Sequence, residues 1–512
     1  MNFIRSQKLQ LFFILGLVIL WSSCRKDFDY QASTGNLSFS KDTVYLDTVF
    51  TNIGSSTYSL KVYNHSNTDI QIPSISLKKS LNSKYRINVD GQAGQEFYNI
   101  PLLAKDSLYI FIETTFDITS IGENEFLYTD EILFDSGSNQ QSVSLVTLIK
   151  DAIFLYPKKD TNGIFETISL ENSEGENTMV NGFILDDSKL NFTNKKPYVI
   201  YGYAAIPENE ILIIDAGVRI YFHQNSGLFV QANSTLQING SLSTDQLALE
   251  NEVIFQGDRL EPDFNDIPGQ WGSIWFDKKS TASQINHLTI KNATVGLFVN
   301  GTNSEDLINL KITNSQIHNS SSVNLWNNSS HVIGTNLVLG NAGYSSLYCN
   351  NGGYYSFIHT TIANYWTNGF RAGAALQLIN TTTENTDLNK ADFINCIIDG
   401  NNPTELFISN TNNIAKFKYS FVSCMVKIAL STSITQNPLY NFENTENFNF
   451  IYLNENSDFS NPKKGDFSLK EKSFAIGKAN LEGANLVPND ILNNDRTITP
   501  DIGSYQFFPT EN

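Results

Sequence analysis

The chain has 512 residues, a net charge of −18, 41% hydrophobic residues and 12% aromatic residues, which is enough to form a large apolar core. The acidic balance disfavours nucleic acid as a partner, because phosphate binding needs clustered lysine and arginine. It disfavours polyanionic glycans for the same reason, unless Ca²⁺ bridges the charges. Only 17% of the residues are charged, which is unlike an acidic disordered chain and typical of β-rich extracellular proteins.

The first segment, residues 1–23, is predicted to be an export signal. Arg5 and Lys8 form a positively charged start, and an apolar run follows from Leu11 to Leu20. This run is too short to cross a bilayer as a helix, which needs about twenty residues. A short apolar run behind basic residues is typical of a signal peptide that is removed after export.

The end of this segment points to lipid attachment at Cys24. The small residues of "WSSC" directly before the cysteine resemble the lipobox of bacterial lipoproteins, although Trp21 stands where that motif usually has leucine. The resemblance implies acylation of Cys24, a tether over residues 24–36 and the outer membrane as a partner through the lipid. The following "RKDFDY" resembles the surface-export tag of Bacteroidota lipoproteins, which implies a position facing the extracellular side.

Residues 37–151 are predicted to form a β-sandwich. Short stretches with period-two alternation are separated by turn signals such as "TNIGSS" and "NHSNTD". Strands at such short intervals over about 115 residues indicate two packed antiparallel sheets. The order of "VFTNIGSSTYSLKVYN", "IQI" and "DSLYIFIETTF" resembles immunoglobulin-like modules of the Hydin/ASPM/SPD-2 kind. Such modules act as spacers or interaction domains, so the resemblance implies no catalytic residue here.

Residues 152–510 show a repeating pattern of short apolar runs interrupted by Gly, Asn and Ser. Ile290 and Ile312 lie about 22 residues apart, and Leu339 and Ile362 about 23. This period resembles that of leucine-rich repeats, but the leucine framework is missing. The pattern therefore predicts a parallel β-helix, a solenoid in which each coil is completed by the coils above and below it.

The predicted coil gives specific expectations for packing. Two successive strands should point four apolar side chains inward: Leu288, Ile290, Leu297 and Val299. Asn292 and Asn314 are expected at equivalent corners of neighbouring coils, where their side-chain amides can form a hydrogen-bonded ladder.

Two stretches of this region resemble right-handed parallel β-helix proteins of the pectate-lyase-like superfamily. "GQWGSIWF" followed by "INHLTIKNATVGLFV" looks like the recurrent coil of that group. "GDFSLKEKSFAIGKANLEG" and "DRTITPDIGSYQF" resemble its closing segment, with these residues in place: Asp501, Ile502, Gly503 and Tyr505. The resemblance covers about 350 residues and implies the fold, but not a function, because the superfamily contains lyases, hydrolases, adhesins and inert spikes.

A search for catalytic groups assigns none. Glycoside hydrolysis needs paired carboxylates, and no pair is marked in the coils. Arg371 and Asp399 are isolated and are predicted to be solvated turn residues, with a place on a groove wall as the alternative. The six histidines show no metal-binding spacing, and "NTD" at 385–387 lacks the motifs that accompany it in hydrolases.

A cluster of aromatic residues is the best candidate for a binding face, because exposed aromatic rings can stack on sugar rings. Its members are Trp326, Tyr354, Tyr355, Tyr365 and Trp366. The alternative is that these rings pack in the core. No cofactor is expected. The alternative is a Ca²⁺ ion in the acidic loop that contains Asp263 and Asp266, although the loop lacks the usual ligand order.

These observations predict an all-β chain, with an Ig-like sandwich followed by a right-handed parallel β-helix. The expected function is that of a lipid-anchored, non-catalytic cell-surface protein. Its β-helix would bind a polysaccharide or a surface protein, and no nucleic acid. The alternatives are a polysaccharide lyase or glycoside hydrolase, and a purely structural spacer.

Overall fold

A computed structural model of the chain describes residues 30–117, 125–380, 386–411 and 414–509. The chain divides into two compact units between Lys150 and Asp151. The predicted signal peptide and Cys24 lie outside the described residues. Within the described ranges, no helix has the length and hydropathy that a membrane span requires.

The first unit is a sandwich of two sheets. The larger sheet has six strands, at Gln31–Ala32, Thr43–Phe50, Ile70–Leu77, Glu96–Leu102, Glu125–Phe134 and Gln141–Lys150. The smaller has five, at Ser38–Phe39, Tyr58–Tyr63, Tyr85–Val89, Gln92–Gly94 and Ser107–Thr114. Alternate residues of these strands are buried in a common core. The first strand pairs with Ile70–Leu77, so the sandwich begins within the segment predicted to be a tether.

The second unit is a solenoid of three long sheets, named here A, B and C. Sheet A has strands at Ile153–Leu155, Tyr198–Ile200, Arg219–Phe222, Val253–Gly257, Leu288–Lys291, Gln316–His318, Val338–Gly340, Thr361–Asn364, Ile397–Gly400, Met425–Val426 and Tyr452–Leu453. Sheet B has strands at Thr167–Glu171, Asn177–Ile184, Tyr203–Ile206, Gly227–Val230, Ile274–Phe276, Val295–Asn300, Val323–Asn328, Ser345–Asn350, Leu376–Asn380 and Leu406–Asn410. Sheet C has strands at Asn191–Phe192, Ile211–Ile214, Thr235–Asn239, Ser283–Asn286, Leu310–Thr313, His331–Thr335, Gly353–Ile358, Leu388–Ile394, Ser420–Val422 and Phe448–Asn449.

The remaining elements are short. A two-stranded antiparallel sheet joins Phe459–Asn461 to Asp466–Leu469, and the described residues include α-helical segments at Thr432–Thr435 and Leu481–Leu486. Single 3₁₀ turns lie at Ser80–Asn82, Gly137–Asn139, Asp187–Lys189, Pro262–Phe264, Pro438–Tyr440 and Pro462–Lys464.

Successive coils contribute one strand to each sheet, and neighbouring strands pair in parallel, apart from the antiparallel hairpin of Thr167–Glu171 and Asn177–Ile184. Inward side chains from the three sheets form one continuous apolar core. The predicted inward set is confirmed, since each member is at most 1% exposed: Leu288, Ile290, Leu297 and Val299. The structure therefore confirms the predicted fold class, an Ig-like sandwich followed by a parallel β-helix.

Coil length varies more than the predicted period. Leu339 does pair with Ile362, 23 residues further along sheet A. Ile290, however, pairs with Ile317, 27 residues on, while Ile312 lies in sheet C. The predicted repeat from Ile290 to Ile312 thus linked residues of two different sheets. The two positions look equivalent in the sequence because both are inward-facing isoleucines.

Asparagine ladders are present, but the predicted pairing of Asn292 with Asn314 is wrong. Asn292 follows a strand of sheet A, and its Oδ1 accepts from Asn319 Nδ2 at 2.6 Å. Asn314 follows a strand of sheet C, and its Oδ1 accepts from Asn336 Nδ2 at 2.9 Å. All four residues have a positive φ of 48–61°, a conformation that asparagine tolerates better than most residues. The two ladders lie at different corners because each coil has more than one asparagine turn.

The C-terminal segment covers part of the outer face of sheet A. Ile502 packs in a second apolar cluster with outward side chains of successive sheet A strands, among them Val338, Ala363 and Ile397. Phe467 of the small antiparallel sheet belongs to the same cluster. The predicted closing segment therefore lies along the side of the solenoid.

Candidate functional site: an aromatic groove on the β-helix

A groove of about 1190 Å³ lies on the β-helix. It follows the corners between sheets A and B in four successive coils, at residues 201–203, 223–225, 272–273 and 294–295. The segment after the first sheet A strand and the antiparallel hairpin form its walls. A cavity of this size and shape is large enough for an extended ligand of several rings.

Two glycines allow the groove floor to pack closely. Gly202 has a φ of +68°, and a Cβ atom there would lie 2.7 Å from the carbonyl oxygen of Asn181. At Gly272, a Cβ atom would lie 2.3 Å from the hydroxyl oxygen of Tyr203. Tyr203 is only 7% exposed and belongs to an apolar cluster with Phe229. The stretch "YVIYGYAAI" therefore builds a rigid aromatic floor.

A histidine and a carboxylate meet at one end of the groove. His223 Nδ1 lies 2.8 Å from Asp258 Oδ2, and its ring stacks on Tyr201 with 4.4 Å between centroids and 29° between planes. The hydrogen bond to Asp258 raises the pKa of His223. Burial, followed by the charge of Asp258, raises the pKa of Tyr201 to about 12. His223 and Tyr201 can thus present both a polar edge and an aromatic surface to a ligand.

Exposed aromatic residues form the outer wall. Tyr156 is 61% exposed and Phe165 is 42% exposed, and Lys159 Nζ lies 4.5 Å from the centre of the Phe165 ring. Lys158 also lines the groove. This wall combines rings that can stack with amines that can donate hydrogen bonds.

The groove continues into a ladder of aromatic side chains on the outer face of sheet B. In register on successive strands stand Phe229, Trp275, Phe298, Trp326 and Tyr348. Rings from Trp275 to Tyr348 meet edge to face, with centroids 4.4, 5.0 and 5.5 Å apart. Trp275 belongs to both the groove and the ladder.

The tip of the antiparallel hairpin is fixed beside this ladder. The backbone oxygen of Glu171 accepts from Trp275 Nε1 at 3.2 Å and from Asn300 Nδ2 at 3.0 Å. Its carboxylate forms an ion pair with Lys278 at 2.8 Å. These contacts hold the hairpin against sheet B, so one wall of the groove is anchored at several points.

The five aromatic residues predicted to form one face are separated by the fold. Trp326 is half-buried in the ladder on sheet B, and its Nε1 donates to Asn350 Oδ1 at 2.8 Å. Tyr354 is half-buried on sheet C, where its ring lies 5.5 Å from that of His331. Tyr355 is its neighbour in sequence but points into the core, is 1% exposed and donates to the carbonyl of Gly352.

The other two predicted residues lie beyond the end of a sheet A strand. Tyr365 donates to Asp399 Oδ2 at 2.8 Å and packs against Phe459 and Phe467 of the C-terminal segment. Trp366 is 7% exposed. The sequence placed these residues close together along the chain, but alternation and corner turns send them to different faces.

Arg371 and Asp399 are not the solvated turn residues that the sequence suggested. The guanidinium of Arg371 makes a two-point contact with Glu405, with N–O distances of 2.9 and 2.5 Å, and both side chains are at most 2% exposed. Asp399 is 8% exposed and accepts from Tyr365. Both terminal nitrogens of the Arg371 guanidinium have partners, whereas its Nε has none among the described residues. These partners offset most of the cost of burying the charge.

The groove offers stacking and hydrogen bonding, but none of its described lining residues carries a carboxylate. Carboxylates do lie just outside this lining. Asp258 is bonded to His223, and Glu166 Oε2 accepts from the backbone N–H of Lys158 at 3.0 Å. Glycoside hydrolysis uses two carboxylates on either side of the scissile bond. No group of three His, Cys, Asp or Glu side chains that could hold a metal occurs in the described ranges. The lining thus offers aromatic surface and hydrogen-bonding groups to a ligand.

The sequence analysis did not predict the groove, whose residues come from the first coils of the solenoid and are far apart along the chain. The aromatic stretches "FLYPKKD" and "YVIYGY" were the available signal. Asp258 could not be linked to His223 from the sequence, because the two side chains are 35 residues apart and on different coils.

Comparison with known proteins gives no family assignment. No protein-family model and no curated protein matches the chain. Among solved structures, it is similar to the catalytic unit of a GH87 α-1,3-glucanase from Streptomyces thermodiastaticus, with 10% identity, a TM-score of 0.21, and coverage of 72% of this chain and 66% of that one.

Two further similarities cover parts of the chain. A family 123 glycoside hydrolase from Clostridium perfringens is 9% identical over 24% of this chain and 30% of its own, with a TM-score of 0.16. A PapD-like domain of human CEP192 is 14% identical over 26% of this chain and 94% of its own, with a TM-score of 0.15. The chain thus spans less than two thirds of either hydrolase structure. Similarities at these TM-scores assign no activity.

Proposed function

We propose that the chain is a lipid-anchored cell-surface protein that binds glycan through the aromatic groove, without cleaving it. The observation that carries this proposal is the groove itself. Tyr201, Tyr203 and Trp275 line it with aromatic surface, while Lys158 and His223 add polar groups. Sugar rings have apolar faces and hydroxyl edges, so aromatic stacking combined with hydrogen-bonding groups is suited to them.

The continuation of the groove into the sheet B ladder supports a polymeric ligand. Strands in a sheet lie about 4.8 Å apart, so each coil repeats similar surface chemistry at that interval. Trp326 and Tyr348 remain half-buried rather than enclosed, and Phe407, two strands further along the same register, is 43% exposed. A single sugar would leave most of this surface unused.

The test is to incubate the purified protein with plant, algal and host polysaccharides, with and without Ca²⁺. Retention on the polymer and release of reducing or unsaturated ends are both measured. Tyr156→Ala and Tyr201→Ala should each weaken retention about five- to thirtyfold, as expected for one lost stacking contact of 1–2 kcal/mol. Tyr98→Ala, at a 66% exposed tyrosine of the sandwich, is the matched control and should change nothing.

The outcomes separate the candidate functions. Retention without release, lost in the groove variants, supports glycan binding. Release of unsaturated ends would instead indicate a lyase and would direct attention to His223 as a base. Retention that is unchanged in both groove variants would refute the groove as the binding site, and no retention on any polymer would favour a protein partner or a spacer role.

The lipid anchor is tested separately. If Cys24 carries the lipid, Cys24→Ser should move the protein from the membrane fraction to the soluble fraction and abolish incorporation of labelled fatty acid. Protease treatment of intact cells then reports whether the protein faces outward. Membrane association that persists in the variant would contradict lipid attachment at Cys24.

A further inference from the structure

A second, polar pocket lies on the outer face of sheet A and shares no lining residue with the aromatic groove. It has a volume of about 630 Å³. One side is the insertion that contains Asp266, and the other is the turn at Lys463–Gly465 of the C-terminal segment. The floor is formed by Lys291 and His318, which are paired neighbours on adjacent strands of sheet A.

The charge of this pocket is opposite to that of the whole chain. Its lining includes three lysines, Lys291, Lys463 and Lys464, and one carboxylate, Asp266. Lys464 forms a 2.7 Å ion pair with that carboxylate. Within the described residues, neither Lys291 nor Lys463 has a carboxylate within ion-pair distance. The chain as a whole carries −18, so two unpaired ammonium groups in one pocket form a local positive site.

The floor also contains one shielded polar atom without a partner among the described residues. Lys291 is half-buried, and burial lowers its pKa. His318 Nε2 is shielded from solvent and has no hydrogen-bond partner among the described residues, although the residue as a whole keeps some accessible surface. A Cβ atom at Gly465 would lie 2.7 Å from His318 Nδ1, so the C-terminal turn packs directly on the ring. Shielding a polar group from water lowers the stability of the fold unless another group forms a hydrogen bond with it.

The rim provides neutral hydrogen-bonding groups and aromatic surface. Asn292 and Asn319 belong to the corner ladder, and Asn368 Nδ2 reaches Asn319 Oδ1 at 3.4 Å. Tyr365 and Trp366 also belong to the lining. Amides beside lysines and aromatic rings suit a small molecule that bears both hydroxyl groups and one negative charge.

We propose that this pocket binds an anionic group, a carboxylate, sulfate or phosphate, carried by a molecule about the size of a sugar acid, with Lys291 and Lys463 as its counter-ions. The site is separate from the aromatic groove and does not depend on the function proposed for it. The acidic net charge opposes such binding only weakly, because salt largely screens distant surface charges but screens a partly buried charge pair far less.

The experiment is calorimetric titration of the full chain with galacturonate, glucuronate, inorganic sulfate and inorganic phosphate, with glucose as the neutral control. Binding of at least one anion, with no detectable glucose binding, is expected, and its affinity should fall with added NaCl. Binding of the sugar acids alone identifies a glycan-borne group, and binding of the inorganic ions alone identifies a free anion.

Variants locate the site. Lys291→Gln should weaken anion binding about tenfold or more, as a charge-assisted hydrogen bond from a half-buried group is lost. Lys463→Gln, at an exposed residue whose change leaves the core intact, should weaken it about two- to fivefold. Lys311→Gln, at an exposed lysine on sheet C, is the matched control.

The proposal is overturned if none of the four anions binds with a Kd below about 10 mM. It is also overturned if binding is the same in Lys463→Gln and Lys311→Gln as in the unchanged chain. Polysaccharide retention through the aromatic groove should be unaltered in Lys463→Gln, so failure of one proposal is distinguishable from failure of the other.

Discussion

The buried ion pair of Arg371 and Glu405 gives a sharp test of what holds the C-terminal coils together. Besides the two contacts with Glu405, the guanidinium donates to the carbonyls of Gly373 and Asn364 at 2.6 and 3.1 Å. The carboxylate of Glu405 also accepts from the backbone N–H of Asn402 at 2.7 Å. The ion pair thus ties together backbone segments of two coils.

Replacing Arg371 with Met leaves the carboxylate of Glu405 buried without its counter-ion. Breaking one partner of a buried pair costs about 3–5 kcal/mol. Because a stacked array opens in segments, the loss should appear locally, in the strands Leu376–Asn380 and Leu406–Asn410 that flank the pair. A loss of about 3 kcal/mol corresponds to hydrogen exchange that is faster by roughly a hundredfold or more in those strands.

The assay is hydrogen exchange with peptide-level resolution, because a single melting temperature is poorly defined for a segmented array. Lys78→Met is the control, since Lys78 and Glu131 form an exposed pair with side chains 58% and 31% exposed, and it should leave exchange unchanged. The double replacement Arg371→Met with Glu405→Leu should restore part of the protection, because it removes the unpaired charge. Unchanged exchange in Arg371→Met would refute the reasoning.

Three more outcomes are expected. Burial lowers the pKa of His318 to about 3, whereas an unfolded histidine titrates near 6.5, so the coils around it should lose on the order of 3–4 kcal/mol of stability as pH falls from about 6.5 to 3. Hydrogen exchange in the strand Gln316–His318, corrected for its intrinsic pH dependence, should show this loss, and His318→Gln should reduce it. Asp258→Asn should lower the pKa of His223, which an NMR titration of its imidazole proton measures. Asn336→Ala should lower the local free energy of unfolding by about 1–2 kcal/mol, and Asn336→Gly should lower it less. Both variants lose the ladder hydrogen bonds, but only alanine adds backbone strain at a φ of +52°.

The sequence was sufficient to predict the class of fold and the inward-facing residues of individual strands. Alternation in "NHLTIKNATVGLFVNG" predicts correctly that Leu288 and Leu297 are buried, because a side chain two positions along a strand returns to the same face. The same local rule could not assign Asn292 and Asn314 to their corners. That assignment depends on coil length, which is 27 residues from Ile290 to Ile317 and 22 from Ile317 to Leu339.

The candidate site could not be predicted, because its parts are brought together only by stacking. The aromatic residues near Tyr355 are adjacent in sequence, yet alternation divides them between core and surface. The rings of Trp275 and Trp326 lie in one ladder although 51 residues separate them. Proximity along the chain was therefore a poor guide, and position within the coil was the informative quantity.

The position of the groove follows from which outer faces of the solenoid are already covered. The C-terminal segment packs on sheet A from Val338 onward, and the hairpin tip at Glu171 is fixed beside the sheet B ladder. The corners between these sheets at Tyr201 and His223 remain open to the groove. Side chains there face neither the core nor a covering segment, so their aromatic surface is not accounted for by packing alone. Loss of retention in Tyr201→Ala, with unchanged hydrogen exchange in the coils beneath it, would show that this surface serves binding rather than stability.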